Sequence, residues 1–575
     1  MMPHRVASGP WAGEVLPGWQ AVLFGPHGWR LEQWLREGQV QLVKHGPCRA
    51  VYRVDVAGST LYVKHYRCRR WWDRLVNVFR RSPSRREFHR ARAALARDIP
   101  TAEPVAWLEF RQAGVAGDSF LVTREIADTC SLDEYLRSAL PRLAPASAAR
   151  MRHKLARALA RLMAAAHRQG IEHDDLHAGN LLLRPQSCLP DADDERLPEI
   201  FLIDLPGVRV TRALSWRRTR VSLTMLGAAC SILASRADQC RFLRAYFSER
   251  PELTDSAPGW RAMAGQIARS IPARKRRVAR SRDKRSQRSN RDFYQRAQDA
   301  ATALAVTDLP AERLAPLLRA PQALLFENVH RPFKLSHRSM VVRAKLALER
   351  GEAEVAYKRV RHRNWWKTLL HYFRRNAALA AWHHGHALLL RGIATARPLA
   401  VIEQQRFGLP AEGYLATEWI AGARNLHAYG WELAERPAAE RRRRTRQICD
   451  SLGRLIGRMH AWHVSHRDLK GCNILLVERE NTVDCFLIDA DSVALPYRLL
   501  PFFRAFNLGR LAASIEAHAW VTRADRLRFF KAYLAELRRG DPAAWPADWK
   551  QGWRAVAKAT RSILGRLRRH GREIV

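Results

Sequence analysis

The sequence has no CxxC pair, and its nine cysteines are scattered from position 48 to position 485. An odd number at such spacings argues against a disulfide framework or a zinc site and for a reducing compartment. No run reaches 18 apolar residues. The longest candidate, LARALARLMAAAH (155–167), carries two arginines at helical spacing and predicts an amphipathic helix rather than a membrane span. The opening stretch MMPHRVASGPWAGEVLPGW lacks a basic segment followed by an apolar core, so no secretory signal is expected. Acidic residues are scarce: 55 Asp+Glu face 99 Lys+Arg, a net charge of +44. That surplus implies an anionic partner such as nucleic acid, acidic lipid, phosphosugar or nucleotide.

What is present is enough for real cores. Hydrophobic residues make up 47% of 575, with 19 Trp and 19 Phe, which argues against disorder and allows two to four domains. The chain also repeats itself. GIEHDDLHAGNLLL (170–183) and VSHRDLKGCNILL (464–476) share the pattern HxDLxxxN, with His173 and His466 lying 293 apart. KHYRCRRWWDRLVNVFRR from Lys64 matches KRVRHRNWWKTLLHYFRR from Lys358, an offset of 294. IPTAEPVAWLE (99–109) matches IATARPLAVIE (393–403), TREIA (123–127) matches TEWIA (417–421), and RFLRAY (241–246) matches RFFKAY (528–533). A tandem duplication follows, with one domain over 20–296, a linker over 297–325 where the repeat signal fades, and a second domain over 326–575.

Period and punctuation predict an α+β fold for each copy. VQLVKH, AVYRVDVAG and STLYVKHY alternate as three antiparallel strands turning at Gly58-Ser59. SRREFHRARAALARD follows as a helix, and PVAWLEF and DSFLVTREI as two more strands. Beyond Leu132 the chain reads as mainly helical, with a short strand pair (NLLL and EIFLID) around a loop. Each copy is thus a small antiparallel sheet with one helix, followed by a larger helical lobe.

Two such lobes with HxDLxxxN between them resemble the protein-kinase-like fold. The IPTAEPVA phrase after a RREF helix, the Trp-rich Arg segment and the Asp-Leu after the last strand are closest to the lipopolysaccharide core kinases, the heptose and Kdo kinase family. The resemblance covers nearly all of both copies. It implies a phosphotransferase using ATP and Mg²⁺, in which charge placement does nearly all the work. By that resemblance Asp175 accepts the hydroxyl proton, Asn180 and Asp204 bind the metal, Lys64 steadies the phosphates, and Glu87 holds Lys64. Gly46, in the glycine-poor loop KHGPCRAVY, and Glu125 of TREIA join the nucleotide-binding set. His173 is expected to be structural, and His177 stands where protein kinases carry Lys.

The second copy supplies Lys358, catalytic Asp468, and Asn473 and Asp489 for the metal, with Lys470 in place of His177. It departs at one position. Glu87 maps onto Ala381, and from Asn364 to Ile402 there is no Asp or Glu to replace it. Lys358 is therefore expected to lack its partner, leaving this copy slow, differently wired or a pseudokinase. Asp491 reads as a turn residue or a further metal ligand. The acceptor implied is a lipid-linked phosphosaccharide, met at the anionic cytoplasmic face of the inner membrane by a peripheral protein. The basic runs 273–291, 441–446 and 565–572 and the Trp pairs 71–72 and 365–366 suit such a surface. Two other functions remain open at this level: a protein Ser/Thr kinase, favoured by HRDLK, and a pseudokinase scaffold. Nucleic acid is the weaker partner, since no RRM, OB, zinc or helix-turn-helix signature appears.

Overall fold

The computed structural model describes the chain except residues 1, 27, 47, 69–80, 113–114, 186–195, 232, 255–258, 328–331, 336–338, 362–375, 407–408, 546–547 and 572–575. Both Trp pairs lie outside the described residues. The chain divides into two compact units, Met1–Lys275 and Arg276–Val575.

In the first unit seven antiparallel strands run in the order His4–Ser8, Trp11–Val15, Pro104–Gln112, Val115–Arg124, Ser59–Tyr66, Arg49–Val56, Val40–His45. The second unit repeats that order with Phe293–Gln298, Ala301–Val306, Pro398–Arg406, Leu409–Glu418, Gly351–Arg361, Ser339–Leu348 and Pro332–Leu335. Five strands per sheet were expected. The extra pair in each is a hairpin whose second strand zips onto the sheet, Trp11–Val15 on Pro104–Gln112 and Ala301–Val306 on Pro398–Arg406. The segment 297–325 is therefore not a linker. It holds edge-strand residues of the second sheet and the helix Ala311–Arg319, and its ATALAV buries five of six side chains. Likewise the first unit begins before residue 20.

Alternation sets the face of each side chain. Leu61 and Val63 are buried and pack with Trp29, Trp34, Val54 and Val122. Tyr62, Lys64 and Tyr66 consequently point to the other face of the sheet. The helix Pro83–Leu95 starts at Ser82, whose hydroxyl accepts from Arg85 N, and Pro83 occupies the first turn. Its counterpart Ala377–Leu390 is capped by Asn376.

The helical half of each unit is built around one long helix, Pro145–Arg168 or Ala438–Ala461. Each ends in a buried histidine joined to a tyrosine of the packing helix: His167 to Tyr246 at 2.8 Å and His460 to Tyr533 at 2.9 Å. Their second ring nitrogens meet Ser222 Oγ and Asn507 Oδ1. Two of the basic runs are partly structural. Arg444 of 441–446 is buried against Glu478 at 2.7 Å, and Arg276 of 273–291 meets Asp541 at 3.3 Å. No disulfide forms among the eight cysteines of the described residues. No helix among the described residues is long and apolar enough to cross a membrane.

Burial drives the pKa of His167, and likewise that of His460, from 6.5 down to about 3. Both rings stay neutral in the fold, whereas an unfolded histidine takes up a proton below about 6.5. Stability should therefore be fully present above pH 6.5 and fall as pH drops toward 3. Denaturant unfolding at a series of pH values should show a shallower fall for His167→Gln than for the parent; an unchanged slope would contradict the assignment.

Candidate functional site

In each unit the histidine of HxDLxxxN clamps two loops together. His173 Nε2 donates to Ile203 O at 3.1 Å while its Nδ1 accepts Asp175 N–H at 3.1 Å. From the other side Ile203 N donates to Asn180 O at 3.0 Å. His466 and Ile488 repeat the link between the loops, with Nε2 to Ile488 O at 3.0 Å and Ile488 N to Asn473 O at 3.0 Å, while no hydrogen-bond donor among the described residues reaches His466 Nδ1. His173 is thus structural, as its sequence context implied. The next residue in each chain, Asp204 or Asp489, has a left-handed backbone, φ 60° and 62°. An Asp tolerates this conformation better than most side chains, and the turn carries its carboxylate out of the strand pair toward the lysine.

In the first copy Lys64 Nζ lies 2.6 Å from Glu87 Oε1 and 3.3 Å from Asp204 Oδ1. Glu87 is buried and also accepts from the Tyr66 hydroxyl and from Leu205 N at 3.2 Å. Arg49 closes the group, with Nη1 2.8 Å from Asp204 Oδ1. Burial pushes the Asp204 carboxyl up, but Lys64 and Arg49 outweigh it and hold its pKa at about 2. Asn180 donates Nδ2 to Asp175 O at 2.8 Å, which leaves its amide oxygen as the atom it can offer a cation. Asp175 itself is exposed, with His177 Nε2 3.6 Å from its carboxylate.

The structure therefore brings together Lys64, Glu87 and Asp204, and joins Asp175 to Asn180. Gly46 lies in the loop that leads to Arg49. Glu125 is held instead by Arg53 at 3.1 Å and Tyr62 at 3.4 Å; Tyr62 shares the sheet face of Lys64 two residues away. Arg49 and Tyr66 were missed from the sequence. They sit directly opposite each other on paired strands, and their only signal was that register.

The second copy is wired differently. Lys358 Nζ lies 2.7 Å from Asp489 Oδ1. Burial pulls the Lys358 ammonium down, yet Asp491 and Asp489 outweigh it and keep its pKa above the usual lysine value. Burial pushes the Asp491 carboxyl up; Lys358 opposes this and Asp489 adds to it. Lys358 has Asp489 of the strand-end loop as its ion-pair partner, and the helix, with Ala381 in place of a glutamate, brings it no carboxylate. At the catalytic loop Asn473 Nδ2 donates to Asp468 O at 2.8 Å and to its carboxylate at 3.1 Å. Lys470 and Arg510 flank that carboxylate at 3.7 and 3.8 Å.

A divalent cation fits this chemistry. An amide oxygen and one or two carboxylates are hard donors, and too few to form a cage, so phosphate and water would complete the shell as Mg²⁺ prefers. Among the described residues no group of three or more His, Cys, Asp or Glu forms a separate metal cluster.

Comparison with known proteins gives the family. The model of the lipopolysaccharide kinase (Kdo/WaaP) family matches residues 32–246 and 343–533, well over half of the chain. The chain belongs to that family. Membership makes it a kinase, with ATP as the phosphoryl donor. It is 29% identical over 236 residues to the lipopolysaccharide core heptose(I) kinase WaaP of Pseudomonas aeruginosa, covering 40% of this chain and 85% of that protein. It is 29% identical over 140 residues to a 3-deoxy-D-manno-octulosonic acid kinase of Haemophilus influenzae, spanning 24% of this chain and about half (54%) of that relative. A solved structure, WaaP in complex with acyl carrier protein, aligns with a TM-score of 0.32 and 23% identity over 45% of this chain and 97% of that one.

Glu87→Gln should lower first-copy turnover by about 10²–10³, because it removes the charge that preorganises Lys64. Tyr66→Phe should act in the same direction and less. ADP release in an Asp468→Ala background measures both; a Glu87→Gln rate equal to the parent's would rule the wiring out.

Proposed function

We propose that this kinase transfers the γ-phosphoryl of Mg²⁺-ATP to a heptose or Kdo hydroxyl of the lipopolysaccharide core, working as a peripheral protein at the cytoplasmic face of the inner membrane. The observation that carries the reading is the Lys64–Glu87–Asp204 group joined by the His173–Ile203 clamp to Asp175 and Asn180, in a chain of this family. A bound metal would neutralise phosphate charge between Asp204 and Asn180. Lys64 orients the phosphates, and Glu87 and Tyr66 hold Lys64 in place for that. Asp175, exposed to an incoming acceptor, receives the hydroxyl proton as the oxygen attacks phosphorus. Arg49 must leave Asp204 when metal arrives, and it is then free to meet phosphate.

Asp175→Ala should cut first-copy turnover by several orders of magnitude while nucleotide binding persists. Mass spectra of lipid A-core from cells carrying Asp175→Ala or Asp468→Ala show which phosphates each copy adds. If neither variant loses phosphate, the lipopolysaccharide core is not the acceptor.

Membrane attachment is supported by a patch on the second unit. Tyr497 is 83% and Phe502 69% exposed, with Leu500 and Phe503 also open to solvent and Arg498 between them. The patch forms the start of helix Pro501–Ser514, whose Arg510 faces Asp468. The helix packs along Trp549–Arg569, which exposes Lys550, Arg554 and Lys558 at four-residue intervals. Aromatic tips beside basic side chains suit an anionic interface. Binding to anionic vesicles should weaken steeply as salt rises, since exposed charges are screened beyond about 8–10 Å at 0.1–0.15 M. Phe502→Ser with Phe503→Ser should weaken it further. Equal, salt-indifferent binding to neutral vesicles would contradict this attachment.

A further inference from the structure

The second copy carries a group of rings beside its catalytic loop that the first copy lacks. The helix Leu426–Glu435 begins at Asn425, whose side chain accepts from Ala428 N at 2.8 Å. Its first turn packs on the catalytic loop: a Cβ at Gly471 would lie 3.6 Å from His427. Gly471 N donates to Ser514 Oγ at 2.9 Å. Ser514 ends the helix Pro501–Ser514 one turn after Arg510, which flanks the Asp468 carboxylate at 3.8 Å. The four residues from Arg510 to Ser514 rise about 6 Å, so the ring group begins about one helical turn from the catalytic carboxylate.

Three rings form a relay. Trp431 Nε1 donates to His427 Nε2 at 3.3 Å, and His427 Nδ1 lies 3.2 Å from His518 Nε2. An indole N–H can only donate, so His427 leaves Nε2 bare and carries its proton on Nδ1, from which it donates to His518. His518 then carries its own proton on Nδ1, which is buried and meets no acceptor among the described residues. Burial, and after it His427, holds the His518 pKa below the ordinary value, which keeps the ring neutral. The rings also pack on one another, with centroids 4.9 Å apart for His427 and His518 and 4.7 Å for Trp431 and His518. His518 fits against the helix only because residue 430 is glycine, since a Cβ there would lie 2.7 Å from its ring.

At the outer end of the relay Trp431 is 49% exposed. A surface indole ordinarily gives its N–H to water. This one gives it to a histidine that is itself tied to a buried histidine, so the ring is fixed while half of it stays open to solvent. The first copy is built otherwise at the same positions. Asp133, Leu136 and Arg137 stand for His427, Gly430 and Trp431, and Arg137 Nε donates to Asp133 at 2.8 Å. Beside one catalytic loop lies an ion pair, and beside the other an aromatic surface.

We infer that Trp431 is an acceptor-binding platform of the second copy, on which a pyranose ring neighbouring the phosphorylated sugar stacks by its C–H face. The inference rests on the kinase function proposed above and deepens it: this copy takes its acceptor as an oligosaccharide, reading a second ring besides the one that reacts. The C–H face of a pyranose is apolar and its hydroxyls point outward, so it covers an indole while its polar groups stay wet. A ring already fixed by His427 loses little freedom when the sugar arrives. The ion pair of the first copy offers no such surface, so the two copies read the neighbours of their target sugars differently.

The test uses the full chain with the first copy silenced by Asp175→Ala, and dephosphorylated core oligosaccharide as the acceptor. ADP release gives KM and kcat for the oligosaccharide and KM for ATP. Trp431→Ala should raise the oligosaccharide KM about 10-fold, the size of one stacked-ring contact, with kcat falling less than KM rises and the ATP KM moving less than about twofold. Trp431→Phe, which keeps a ring without the N–H, should recover part of the affinity. An unchanged oligosaccharide KM in Trp431→Ala overturns the platform. An equal rise in the ATP KM overturns it too, because the ring would then serve the nucleotide or the loop as a whole. If the silenced parent releases no ADP with this acceptor while the intact chain does, the second copy takes no such acceptor and the inference is wrong, although the first copy's activity stands. If the intact chain releases none either, the kinase function proposed above falls with it.

Discussion

The His–Ile clamp is the constraint on which both sites depend. The proposed catalytic aspartate and metal-binding asparagine lie on one loop, and the proposed metal-binding aspartate lies at the end of a strand that returns about 20–30 residues later. Two hydrogen bonds in opposite directions join these segments one residue before Asp204, and one residue before Asp489. In the first copy the buried imidazole also ties down its own loop, because its two nitrogens play different parts: His173 Nε2 gives a proton to Ile203 O and Nδ1 receives the Asp175 amide. Burial holds the His173 pKa below the usual value, which keeps the ring neutral and both roles available. A charged ring would keep its bond to Ile203 O but lose the Nδ1 acceptor that holds the Asp175 amide.

Much of this was legible in the sequence because duplication offers an internal control. The repeated HxDLxxxN, the lysine in an alternating strand and the Asp after an apolar strand locate most of the site without coordinates. What escaped was set by register or by distance through space. Arg49 reaches Asp204 only because Arg49–Val56 pairs with Ser59–Tyr66 in one register. Arg510 reaches Asp468 from a helix more than forty residues on. The edge hairpins were missed for a different reason. Their short strands, several of them rich in Ala, have little of the β-branched alternation that marks a strand. The supposed linker looked like one because its prolines fall in the helix Ala311–Arg319 and its flanks.

The two copies surround the strand lysine with different charges. In the first, the helix carboxylate is satisfied three times over, by an ammonium, a phenol and a backbone amide. Such a group costs less to keep buried because both of its oxygens are hydrogen-bonded. In the second, that carboxylate and its phenol are absent together, and the apolar helix Ala377–Leu390 packs Ala381 and Trp382 into the sheet core. Removing only one member of the pair would have left a buried group without its partner.

One helix bears on how such a chain can be divided. Gly259–Asp283 begins in the first unit and ends in the second, where Asp283 meets Arg391 at 2.7 Å. The strands Phe293–Gln298 and Ala301–Val306 follow at once and cover the edge of the second sheet. A fragment begun where the repeat becomes recognisable, near residue 326, would lack both and would bare the backbone of Pro398–Arg406 along that edge. The inherited unit is therefore longer than the stretch of resemblance. Its start lies inside a continuous helix, so the two copies cannot be parted at a loop without severing structure from one of them.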